Sequence, residues 1–149
     1  KLIFNKVKKM AEKRDNTIVD LTSLPLSHLQ CITDLMISDA NSPAEESLFY
    51  DVPQLFIETD DFSKDYIVKI AAKEGIHKDE VEKLLSRYDI GENIYLKGGF
   101  FNFSDVIEKS LINSASFAER REEYFSWVFG VRDRQAGKRV GEQVLKFSF

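Results

Sequence analysis

Apolar residues recur along this chain at the three- and four-residue spacing of amphipathic helices, broken by a few short runs that suit strands. Ile3, Val7, Met10 and Ala11 predict a helix over residues 2–14, with lysines on its other face. Thr17 to Leu21 is a β-branched run that suits a short strand. Pro25 suits a first helical position, and Leu26, Leu29, Ile32, Leu35 and Met36 extend the predicted helix to about Ser38. Asp39 to Pro43 reads as a turn, followed by a short helix to Tyr50 capped by Ser42 with Pro43 at its start. Leu55-Phe56-Ile57 is a buried run that fits strand or helix, and Thr59 to Phe62 is a loop.

Ser63 is placed to cap a helix carrying Tyr66, Ile67, Ile70 and Ala71. Gly75 interrupts it, and a second helix runs from about Lys78 to Tyr88. Ile94 to Lys97 and Phe100 to Phe103 are strand candidates joined by Gly98-Gly99, a hairpin signal because both glycines accept positive φ. Ser104 caps a further helix, another spans Phe117 to Phe129, and residues 130–139 read as a basic loop. Val144, Leu145, Phe147 and Phe149 suggest a closing strand. The expected fold is α+β: a helix-rich single domain over residues 1–149, with a helix-turn-helix-like corner and a short β-hairpin. Because the chain opens at Lys1 rather than Met, a fragment of a longer chain stays open.

Composition narrows the class. The chain has 149 residues, 43% of them hydrophobic and 31% charged, which is enough apolar material for a packed core. Its apolar runs are too short to span a membrane. One cysteine, Cys31, excludes an internal disulfide framework, and two histidines make a His/Cys zinc site untenable. A reducing, cytoplasmic setting follows, with no cofactor and no metal expected. Cys31 and His28 lie three apart on a predicted helix, but no cysteine-hydrolase signature accompanies them and Cys31 reads as a small buried hydrophobe.

Charge is unevenly distributed. The net charge is −4. Residues 1–14 carry six basic residues against Glu12, a net of +5, and residues 15–63 carry ten acidic residues with no Lys or Arg. Residues 120–149 carry seven basic residues against four acidic ones. Either the basic ends pack beside the acidic middle, or the middle presents a surface to a partner. The second reading names Glu45, Glu46, Asp51, Glu58, Asp60 and Asp61 as a partner-binding set. The partner is another protein with a basic surface; no membrane is expected, and a homodimer stays open. The chain would then be a non-enzymatic binding module, a regulatory adaptor or inhibitor. The helix over 2–14 would dock on the core with its lysines outward. Arg132, Arg134, Lys138 and Arg139 form a weaker candidate, a loop that grips an anion.

Residues 64–103 carry one local pattern. Ala71 is a small residue, Gly75 follows four later, and Ile70, Ile76, Val81 and Leu84 occupy the expected apolar offsets. This resembles a helix-turn-helix unit, and with the Gly98-Gly99 hairpin it is similar to a winged helix. The resemblance implies a DNA-binding regulator that contacts phosphates through Lys78, Lys83, Arg87 and Lys97. Asp79, Glu80 and Glu82 on the same helix oppose that use. A third reading places Mg²⁺ or a general base at Glu58, Asp60 and Asp61, as in a Mg-dependent enzyme or ATPase fragment. The phosphate loop it needs is missing: around Gly137-Lys138 the glycine spacing is wrong and Arg139 stands where Ser or Thr belongs.

Overall fold

A computed structural model describes residues 2–20, 25–96 and 102–147. The chain is helix-rich α+β, as expected, but its sheet is parallel. Three short strands, β1 (Met36–Ser38), β2 (Gln54–Glu58) and β3 (Glu92–Tyr95), lie in the order β1-β2-β3. Ile37 sits opposite Leu55, and Ile57 opposite Ile94. Between β1 and β2 run helix α3 (Ser42–Ser47) and a 3-10 turn, Leu48–Tyr50. Between β2 and β3 run α4 (Lys64–Glu74), α5 (Lys78–Leu85) and a second 3-10 turn, Ser86–Ile90. Helices α6 (Phe103–Ile112) and α7 (Ala118–Phe129) follow the sheet. Helices α1 (Leu2–Ala11), α2 (Ser27–Gln30) and α8 (Ala136–Lys146) lie towards the two ends of the chain.

The sheet and its crossovers share one core. Leu48, Phe56, Tyr88, Ile90, Tyr124 and Phe125 are buried together, with Ala40 and Ala44 filling the gaps beside β1. Phe125 meets Phe49 edge-on at 4.9 Å, and Phe56 meets Tyr88 at 5.6 Å. Burial of this set is the main stabilising term, at roughly 25 cal/mol per Å² of apolar surface removed from water.

Local chemistry explains the element ends. Ser63 Oγ accepts from the Tyr66 N–H at 3.2 Å and caps α4. Gly75 ends α4 with φ near +69°, a conformation that costs glycine little. Pro43 sits in the first turn of α3, although the capping position is Asn41 and no side chain bonds there.

Several expectations need correction. The long helix to Ser38 is only the four residues of α2, and the chain then becomes β1. Pairing with β2 overrides the helical spacing of Leu35 and Met36. Cys31 follows α2 and is exposed, not buried. Residues 17–20 form no strand. The expected loop at 130–139 ends where α8 begins, and Val144 to Phe147 is helical or turn rather than strand. Helix α6 begins at Phe103, so Phe103 is not in a strand. Lys97 to Phe101, with the expected Gly98-Gly99 turn, lie outside the described residues. Helix α1 does not dock by its apolar face: Ile3, Phe4, Val7 and Met10 stay exposed, and of its described side chains only Ala11 is buried.

Candidate functional site: the acidic turn at the end of β2

The chain leaves the carboxyl end of β2 at Glu58 and reverses through residues 59–62. Thr59 N–H donates to the Phe62 carbonyl at 2.9 Å, and Phe62 N–H returns the bond to the Thr59 carbonyl at 3.2 Å. Phe62 N–H also reaches Thr59 Oγ1 at 3.2 Å. These reciprocal bonds close a turn with Asp60 and Asp61 at its tip. Ser63 then starts α4, whose N–H dipoles favour negative charge nearby. Glu58 Oε2 uses that end directly, accepting from the Lys64 N–H at 3.0 Å.

The carboxylates concentrate here. Asp60 accepts a hydrogen bond from the Tyr95 hydroxyl at the end of β3. That bond, with some desolvation and the negative fields of Asp60, Asp65 and Glu58, pushes the Tyr95 hydroxyl's pKa above its usual value. Asp61 has no hydrogen bond or ion pair among the described residues. Phe62 is 55% exposed and Tyr66 41% exposed beside it, their rings 6.5 Å apart. The turn therefore offers carboxylates and open aromatic faces together. Among the described residues no three His, Cys, Asp or Glu side chains converge to hold a metal ion.

The other three expected partner-binding carboxylates lie elsewhere. Asp51 sits before the amino end of β2, opposite to Asp60, and its Oδ1 accepts from Arg121 Nε at 2.6 Å. Glu45 on α3 accepts from the Tyr124 hydroxyl at 2.7 Å and lies 3.5 Å from Arg87 Nη2. Glu46 is exposed beside a hollow shared with Arg132 and Arg134. The sequence set thus divides three ways: Glu45 and Asp51 bond to side chains of the fold, Glu46 stands apart and exposed, and Glu58, Asp60 and Asp61 sit at the sheet end. Nothing in the sequence pairs Asp51 with an arginine seventy residues away.

The candidate cations are also divided. Arg87 donates to the carbonyls of Ala40 at 2.9 Å and Leu84 at 3.0 Å, so it anchors the end of β1 rather than facing solvent. Lys78 pairs with Glu82 one turn along α5 at 3.6 Å. Lys83 is exposed, and Lys97 lies outside the described residues. Arg132 donates to the Leu48 carbonyl at 2.8 Å, pairs with Glu122 at 3.1 Å and covers the Phe125 ring at 4.1 Å. Arg139 pairs with Asp133 at 2.5 Å, while Arg134 and Lys138 are exposed. These four cations do not form one grip.

Among the described residues no helix is long and apolar enough to cross a membrane. In comparisons with known proteins, no family model, no curated protein and no solved structure matches this chain.

Proposed function

We propose that this chain is a non-enzymatic, cytoplasmic binding module that docks a cationic segment of another protein against the acidic turn. The observation that carries this reading is the closed turn itself, with Asp60 and Asp61 at its tip and Thr59 bonded to Phe62 on both sides. A turn already closed loses little entropy when it binds. Its carboxylates steer a basic partner towards it and select against acidic ones. The exposed rings of Phe62 and Tyr66 receive the apolar stems or charged heads of lysine and arginine. A DNA-binding use of α4 and α5 draws less support, because Arg87 is committed to Ala40, Leu84 and Glu45, and Lys78 is paired with Glu82.

The test is binding of a lysine- and arginine-rich peptide followed by fluorescence anisotropy. Asp61→Lys should weaken it at least tenfold, about 1.4 kcal/mol, while Glu108→Lys on exposed α6 should change it little. Equal affinity for the two variants would remove the turn as the docking site.

A further inference from the structure

A second site lies between two helices and uses none of the turn's residues. Arg120, Glu123, Tyr124 and Trp127 stand at i, i+3, i+4 and i+7, so they share one face of α7. That face would ordinarily be apolar where it meets a neighbour. Instead it faces Lys83, Ser86 and Asp89 across a cleft of about 690 Å³. This volume falls within the range of small-molecule sites.

The cleft has three kinds of contact. Trp127 is 46% exposed and braced by Tyr124, its ring centroid 5.4 Å away and tilted by 60°. Tyr124 is in turn fixed by Glu45, so the indole stands on a rigid floor. Lys83 and Arg120 have no ion pair or side-chain hydrogen bond among the described residues. Asp89 is already paired with Lys64 at 3.3 Å, which among the described residues leaves Glu123 as the one unpaired carboxylate of the lining against two cations. Ser86 Oγ donates to the Lys83 carbonyl at 2.6 Å and keeps its lone pairs for a ligand donor.

We propose that this cleft binds an anionic ligand with a planar ring, of mononucleotide size. The ring stacks on Trp127, the anionic group meets Lys83 and Arg120, and Glu123 and Ser86 accept from ligand hydroxyls. Volume alone does not choose this class. The combination of an open indole with two uncommitted cations does.

The chain contains a single tryptophan, so its fluorescence reports on this cleft. AMP should quench Trp127 saturably. Adenosine, which lacks the anion, and inorganic pyrophosphate, which lacks the ring, should each bind at least tenfold more weakly. Lys83→Gln combined with Arg120→Gln should weaken AMP at least tenfold while leaving the far-ultraviolet circular dichroism unchanged. If the double variant does not fold, the two single variants decide by the same criterion. The absence of saturable quenching up to roughly 10 mM AMP, a dissociation constant below which binding would be recognisable, would overturn the proposal. Equal binding of adenosine and AMP, or of variant and parent, would do the same.

Discussion

Arg121 Nε lies 2.6 Å from Asp51 Oδ1, joining the middle of α7 to the residue that ends the first 3-10 turn. The Arg121 side chain is 4% exposed, and its guanidinium also donates to the Ser114 carbonyl at 2.8 Å. Asp51 itself takes φ near +52°, in the left-handed region. The acidic middle and the basic end of the sequence thus meet at a pair whose arginine is buried and whose carboxylate is half exposed.

Removing Arg121 should therefore cost stability. Loss of one member of a buried pair costs about 3–5 kcal/mol, but the Asp51 carboxylate is half exposed and can rehydrate, so Arg121→Ala is expected to cost about 2–3 kcal/mol. Urea denaturation measures it. A loss below about 0.5 kcal/mol, the level of an ordinary surface substitution, would mean that the pair is not structural.

The Tyr124 hydroxyl gives the fold an alkaline limit. Burial, followed by its bond to Glu45, raises its pKa far above 10, so the folded chain holds this proton where the unfolded chain releases it. The stability it contributes is complete below about pH 10 and is lost as pH climbs towards the folded-state value. Tyr124→Phe should lose about 1 kcal/mol near neutrality, the worth of one hydrogen bond, and should show a shallower decline above about pH 10. Tyr88, also raised, mainly by burial, keeps part of the slope. Identical slopes for variant and parent in urea midpoints would contradict this.

Gly91, just before β3, has no room for a side chain. A Cβ there would collide with the Gln54 carbonyl and sit 2.7 Å from the Gln54 side chain. Its backbone is extended, so the constraint is space rather than φ. Gly91→Ala should push β3 away from β2 and cost about 1–3 kcal/mol. An unchanged melting temperature would show that the strands yield freely.

Much of the helical framework was legible because its signals are local. Ser63 before Tyr66 and Gly75 after Glu74 announce the two ends of α4. The parallel sheet was not legible, because β1 is three residues long and too short to display any period. What makes it a strand is Gln54 to Phe56 beside it, which lie far along the chain. In the sequence the alternation of Leu145, Phe147 and Phe149 mimics a strand, whereas Val140, Val144 and Phe147 follow the helical spacing of α8. At the candidate site, Glu58, Asp60, Asp61 and the intervening loop were named from the sequence. The diversion of Glu45 to Arg87 and of Asp51 to Arg121 was hidden, since ion pairs across the fold leave no local pattern. Arg120 and Trp127 carry no local signal, since each, taken alone, is an ordinary helical residue.

The most direct measurement is the affinity of a basic peptide across a salt series, taken for the parent chain, for Asp61→Asn and for Glu45→Gln. Exposed charge pairs are screened within about 10 Å at 0.1 M salt. The parent should therefore weaken steeply as salt rises, Asp61→Asn should bind less tightly and show a smaller salt dependence, and Glu45→Gln should bind as the parent does despite its lower stability. Peptide binding that tracks Glu45 and ignores Asp61 would contradict the account.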